Sequence, residues 1–340
     1  MDKLQYRLVQ RGNMAALRHV SILLFMLLFF GCETPVDVDI PEHQPVLVLN
    51  GALDPAKEWE IHVSHSVDLF NNQQISPISN ARVEVWENKE MINVLAHTPI
   101  ELGERYDGAS VAALNGFYKS DLMLPELGKT YTIEVSAPGY DKVSVEASVP
   151  ARVEVVNESF MDSVAVDRFN FNAVIAEQNI TIKDPPGEEN YYMVRVGSVM
   201  QQVPVFFSIN TSIQEAYLND FGFSEEEVLL PLWDRIIFND VFFEGETYEL
   251  KVQLSSDAIF TGEDPLEEEI VVNEVLVELF TVSKSFYLSE ITKRAQRESD
   301  GNPFVEAVPV YSNVENGLGA VGGVNVSFAK TVDIRSLSVN

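Results

Sequence analysis

The chain has 340 residues, 46% of them apolar and 22% charged, enough to bury about two ordinary cores without disulfide staples. Its 23 Lys and Arg against 52 Asp and Glu leave a net charge of −29, which excludes nucleic acid and anionic lipid head groups as electrostatic partners. A single cysteine forms no internal disulfide and no cysteine-based zinc or iron–sulfur centre.

The first element is "VSILLFMLLFF", Val20 to Phe30. It is too short to span a bilayer, which takes about 20 apolar residues. Arg18 and His19 precede it, and Gly31 and then Cys32, the sole cysteine, follow it. A positive flank, a short apolar segment and a small residue form the layout of an export leader. Met1 and Met14 both remain open as its start. A small residue directly before cysteine resembles the bacterial lipoprotein signal, although Phe29 stands where leucine is usual. The resemblance implies that residues 1–31 are a signal peptide, that Cys32 carries a diacylglycerol thioether, and that its new amine carries a fatty acyl chain such as palmitate. Each buried CH₂ adds about 0.8 kcal/mol of membrane affinity, so several chains make a stable anchor. Removal of residues 1–31 leaves 19 Lys and Arg against 51 Asp and Glu, a net of −32. The lipid then has to hold the chain against electrostatic repulsion.

Residues 32–45 read as a tether, because Pro35, Pro41 and Pro45 favour extended backbone. "PVLVLNGAL" (45–53) reads as a buried strand ending in an Asn50-Gly51 turn, and "EWEIHVSHSV" as a half-buried strand. In "ISNARVEVWENKE", Ala81, Val83 and Val85 face one way, Arg82, Glu84 and Trp86 the other, and Asn88-Lys89 turns the chain. Three more strands follow, with turns at Pro125–Gly128 and Pro138-Gly139. Residues 46–150 are therefore expected to form an immunoglobulin- or prealbumin-like β-sandwich, with Pro150 as its boundary.

Residues 151–340 continue as strands, with "DPPGEEN" (184–190) as a turn and another strand pair around Glu244-Gly245. "EEIVVNEVLVELFTVS" reads as one long alternating strand. Then the period changes. "SKSFYLSEITKRAQRESDG" predicts a helix near 283–299, capped by Ser283 or Ser285 and stopped by Gly301, with Phe286, Ile291 and Ala295 near one face. "GAVGGVNVSFAKTVDI" predicts a glycine-rich turn into a last strand. The expected fold class is mostly β: two β-sandwich-like domains, the second a larger antiparallel one with a single packed helix.

Chemistry-bearing patterns are sparse. His19 and His43 lie in the leader and tether, His62 and His65 point to opposite faces of one strand, and residues 151–340 hold no histidine. A Ser-His-Asp or Cys-His site in that half is excluded, no cofactor is implied, and the chain is expected not to be an enzyme. A carboxylate-based hydrolase is the least favoured alternative, because sequence places no two acids across a cleft. Asp37–Asp39 and Glu263–Glu269 could bind calcium through oxygen ligands, but neither matches an EF-hand loop and solvated acidic segments are the commoner reading. Trp59, Trp86, Trp233, Tyr191, Tyr192, Phe206 and Phe207 could line a glycan- or peptide-binding face, though core packing is the commoner fate of such residues. Asp162-Ser163-Val164 resembles the O-glycosylation signal of secreted Bacteroidetes proteins, which would modify Ser163.

Several stretches together carry a family resemblance: "GCETPVDVDIPEHQPVLVLNGAL", "ISNARVEVWENKE", "NDVFFEGETYEL" and "NPFVEAVPVYSNVENGLGAVGG" (302–323). They resemble the Bacteroidetes lipoprotein family catalogued as domain of unknown function 4249, which has an aromatic where this chain continues "AVGG" after "GLG". The resemblance implies an outer-membrane lipoprotein, often encoded near TonB-dependent outer-membrane receptors, and hence an expected accessory or binding partner of such a transporter. It implies neither an enzyme nor an established ligand. Its most specific part proposes a recognition loop made of Asn302, Pro303, Phe304, Ser312, Asn313, Glu315, Asn316, Gly317 and Gly319. The competing reading of this segment is a structural loop over a sheet edge, since Asn316-Gly317 and Gly319 suit left-handed backbone.

Overall fold

Alternation of apolar and polar side chains sets the strands. In β1 (Leu47–Leu53), Leu47, Leu49 and Leu53 are fully buried while Val48, Asn50 and Ala52 are not. The same period of two shows in β2 (Glu60–His65), β3 (Arg82–Glu87), β5 (Phe117–Lys119), β6 (Thr130–Ser136) and β7 (Val143–Ser148), whereas β4 (Glu90–His97) buries only Leu95. Asn88 and Lys89 both take positive φ, 50° and 68°. That is the geometry of the two-residue hairpin turn whose twist matches its strands, so β3 and β4 pair directly. The computed structural model describes residues 43–68, 76–99, 116–120, 123–167, 173–198, 205–210, 212–213, 235–259, 274–299 and 308–333. The leader and tether through residue 42 lie outside these, as do Cys32, Trp233, the 263–269 acids, Gly301 and Asn302–Phe304.

The second half contributes β8 (Glu154–Asp167), β9 (Ala173–Lys183), β10 (Tyr191–Ser198), β11 (Val205–Ser208), β12 (Arg235–Asn239), β13 (Thr247–Ile259) and β14 (Glu274–Val282). A helix, α1 (Lys284–Ser299), follows, then β15 (Val314–Glu315) and β16 (Leu318–Asp333). The protein is mostly β with one long helix among the described residues, as composition and periodicity predict. Twelve strands join in the order β12-β10-β14-β16-β1-β2-β5-β4-β3-β6-β7-β15, and four more form β11-β13-β9-β8. Gln44–Asn340 make one compact unit. Within it one core runs from Leu47 to Val149 and takes in Val314 and Val321; the other runs from Val153 to Val332.

Strand β16 joins the two cores. It pairs antiparallel with β14 and, through Leu318–Gly323, parallel with β1. The expected glycine-rich turn before the last strand is therefore wrong: Gly319, Gly322 and Gly323 lie inside a 16-residue strand. The glycines answer close packing. At Gly319 φ is 96°, and an added Cβ would sit 2.1 Å from the Leu49 carbonyl oxygen. At Gly322 a Cβ would meet the Phe286 backbone at 2.6 Å, which is how closely α1 lies against β16.

The helix forms where its period predicts. Ser283 caps it, with its hydroxyl accepting from Phe286 N at 3.3 Å and its carbonyl from Tyr287 N at 3.0 Å. Phe286 and Ile291 pack against the second core, while the buried positions of α1 are Tyr287, Ser289 and Arg294. The strands beside Glu244-Gly245 do not pair with each other. β12 pairs with β10 and β13 with β9, so the chain passes from the large sheet to the small one at this turn.

Candidate functional site

The "SNVENGLG" segment is tied into the sheet by its backbone while Glu315, Asn316 and Leu318 stay exposed. Asn313 spans the loop: its Nδ2 donates to the Val321 carbonyl at 2.9 Å and its Oδ1 accepts from Val321 N at 3.1 Å. Its own N–H donates to the Gly319 carbonyl at 3.3 Å. Val314 and Glu315 then pair with Val145 and Ser144, covering the open edge of β7 with a two-residue strand. Asn316 turns the chain at φ 59°, and an added Cβ on Gly317 would press on the Leu47 carbonyl oxygen at 2.7 Å. Among the described members of the predicted recognition set, Asn313 and Gly319 are thus hydrogen-bonded through backbone groups, and Gly317 is packed close against Leu47. Ser312 donates no contact to the sheet and accepts only a long bond from Val314 N, 3.4 Å.

The same loop walls a cleft of about 490 Å³. β7 contributes Ser144 and Glu146, the start of α1 contributes Ser283, Lys284 and Ser285, and the loop contributes Tyr311, Asn313 and Glu315. Three segments far apart in sequence meet here, bonded to one another. Ser144 Oγ donates to Glu315 Oε2 at 3.2 Å, Ser283 Oγ accepts from Gly323 N at 2.8 Å, and Tyr311 N donates to Thr292 Oγ1 at 2.9 Å. Lys284 turns away to bond Glu189 Oε2 at 2.9 Å, and that bond holds its pKa above the ordinary lysine value. The lining is therefore hydroxyls, an amide and two exposed carboxylates, Glu146 and Glu315. Such a wall binds by hydrogen bonding. Sequence singled out the loop residues but not their partners Ser144, Glu146, Lys284 and Ser285. No local signal marks those four, since only folding brings residues some 171 positions apart together.

"NDVFFEGETYEL" also has a structural account. Asp184 accepts from the Tyr192 hydroxyl and from Gly245 N at 2.7 Å, while Asp240 accepts from Asn190 N at 2.7 Å. Both carboxylates are buried, and together they lock the 184–190 turn to the 240–246 turn. Burial, and then the bond to Asp184, push the Tyr192 phenol well above its ordinary pKa, so it stays a donor. Here the two nearest buried acids serve turns. Among the described residues no group of three or more His, Cys, Asp or Glu is placed to hold a metal ion.

The aromatic candidates divide. Trp59, Tyr191, Tyr192 and Phe207 are buried in the cores and offer no surface. Trp86 is half-buried on β3. Ser163 falls in β8 where the register with β9 shifts between Met161 and Ala165.

A family model described as "Domain of unknown function (DUF4249)" matches residues 33–329. The chain belongs to this family. The match takes in the first core, the second core but for Val332, and the Asn313 loop of the DUF4249 protein. No curated protein matches its sequence. Among solved structures it is similar to a Salmonella alpha-2-macroglobulin reacted with methylamine, at 11% identity and a TM-score of 0.22, covering 75% of this chain and 15% of that one. It is also similar to the BSP domain of a biofilm associated protein, at 8% identity and a TM-score of 0.20, covering 73% of this chain and 59% of that one. The DUF4249 chain thus spans less than two thirds of the length of either.

Proposed function

We propose that this DUF4249 protein is a non-enzymatic, lipid-anchored outer-membrane protein that acts as the accessory or binding partner of a TonB-dependent transporter. The observation that carries the reading is Cys32, the sole cysteine, placed directly after a short apolar run and Gly31. A thiol kept only at that position has anchoring as its use. No helix among the described residues is long and apolar enough to cross a membrane, and the net charge repels anionic lipid. A tether over residues 32–45 reaches at most roughly 50 Å, so it holds the β unit close to the bilayer while leaving it free to meet a partner. The Asn313 loop and the cleft it walls supply a rigid hydrogen-bonding surface for that partner.

Two measurements test the reading separately. In a Cys32→Ala variant the protein should move from the membrane fraction to the soluble fraction; continued membrane partitioning removes the anchor. Affinity purification of the wild-type protein from native outer membrane, after mild crosslinking, should recover a TonB-dependent transporter. Recovery of the anchored protein alone removes the accessory role and leaves the anchor standing.

A further inference from the structure

Among the described residues, Val241 and Phe242 are the one pair of large apolar side chains that are adjacent in sequence and both exposed, at 66% and 50%. They stand at the tip of the 240–246 turn, and the turn is held from beneath. Phe243 is buried and stacks on Tyr248 with ring centres 4.4 Å apart. Phe243 N donates to the Asp240 carbonyl at 2.7 Å, Glu246 N to the Phe243 carbonyl at 2.9 Å, and Asp184 N to the Glu246 carbonyl at 2.9 Å. Asp184 and Asp240 clasp the same turn to its neighbour. The backbone is thus fixed on both sides of the tip, and the two apolar side chains are displayed on a rigid support. Adjacent apolar groups kept in water mark an interaction site more often than a lone one does.

Charge selects the partner. The 184–190 and 240–246 turns contain no Lys, Arg or His. Glu188, Glu244 and Glu246 are exposed, and among the described residues they form no ion pair. Glu189 bonds Lys284 at 2.9 Å, and Lys284 lines the Asn313 cleft, so one bond joins the tip to that cleft. The cleft adds Glu146 and Glu315, exposed and likewise without an ion pair among the described residues. The result is an acidic surface with a single apolar projection.

We propose that Val241 and Phe242 plug into an apolar socket on a protein partner whose rim carries Lys or Arg. Glu188, Glu244 and Glu246 steer that rim into place, and the fixed turn loses little freedom on docking. The same acids turn the tip away from an anionic lipid surface. A second copy of the chain would set like charges against each other. The inference rests on the reading of this chain as a binding partner of another protein, but not on that protein being a transporter.

The test places the photo-crosslinker benzoylphenylalanine at position 242 of the full, anchored chain in native outer membrane, with position 127, an equally exposed leucine in another turn, as control. Position 242 should give a discrete protein adduct that position 127 does not. The crosslinked peptide, mapped by mass spectrometry, should carry apolar residues flanked by Lys or Arg. With that partner purified, Phe242→Ala should weaken binding about tenfold or more, and a Glu188→Gln, Glu244→Gln, Glu246→Gln triple variant should weaken it and flatten its salt dependence. Melting curves check every variant; if Phe242→Ala fails to fold, the crosslink map and the triple variant decide. The proposal is overturned by no adduct at 242, by an adduct to lipid or to a second copy, by a mapped site without basic residues, or by a folded Phe242→Ala that binds as wild type does. A transporter recovered equally well by wild type and Phe242→Ala removes the socket and leaves the accessory role standing. A basic socket mapped on some other protein does the reverse.

Discussion

Replacing Asn313 by alanine should destabilise the whole β unit, because this one side chain closes the loop onto the strand that joins the two cores. Two good hydrogen bonds are lost, at 2.9 and 3.1 Å, both to Val321, which is fully buried. The longer contact to the Glu146 carbonyl, at 3.4 Å, adds little. A neutral bond contributes about 0.5–1.5 kcal/mol net, and a buried backbone group left unpaired costs about 1–3 kcal/mol. With partial relaxation or water entry, the loss should be about 2–4 kcal/mol. Residues 44–340 unfold with an entropy of roughly 0.6 kcal/mol/K, at about 2.1 cal/mol/K per residue, so 3 kcal/mol lowers Tm by about 5 °C. Scanning calorimetry of the full chain in detergent measures this. Asn313→Asp should be no better than alanine, since it keeps the acceptor for Val321 N but sets a second oxygen against the Val321 carbonyl. Ser312→Ala, which removes only a 3.4 Å contact, should shift Tm by less than about 1 °C. An Asn313→Ala protein melting within about 1 °C of wild type would falsify the clasp.

Gly319→Ala should be more severe, because a side chain at φ 96° also drives its Cβ to 2.1 Å from the Leu49 carbonyl oxygen. The expected result is loss of soluble expression or of a cooperative melt, and a normal melt would show that β1 and β16 do not approach so closely. Tyr192→Phe should cost about 1–3 kcal/mol by taking one donor from the buried Asp184 carboxylate. Tyr192 also sets an alkaline limit. Its folded pKa is raised, so its contribution is fully present below the unfolded tyrosine value of about 10 and falls as pH rises beyond it. Urea midpoints should therefore drop more steeply above pH ~10 in wild type than in Tyr192→Phe. Parallel pH curves for the two proteins would refute this assignment.

Much of the fold was legible from period alone. Strands with one buried face, such as β1, β3, β6 and β7, write their alternation into the sequence, and the Asn88-Lys89 hairpin and Ser283-capped helix follow from local chemistry. Period misled where packing overrides local preference. The glycines of β16 read as a turn because glycine is flexible, whereas here they sit in a strand pressed against Leu49 and Phe286. The aromatic residues went where most such residues go: Trp59, Tyr191, Tyr192 and Phe207 fill the cores.

What the sequence determined by itself is what depends on neighbours along the chain: the leader-like run before Cys32, the acidic surface, the strand periods, and membership of the family through segments such as the Asn313 loop. Tertiary structure alone decided which strands are neighbours. The parallel pairing of β1 with β16 spans almost the whole described chain, and no local pattern encodes a partner so distant. The Asn313 cleft depends on such pairings. Ser144 meets Glu315 across the β7 edge only because register, a property of two strands at once, aligns them.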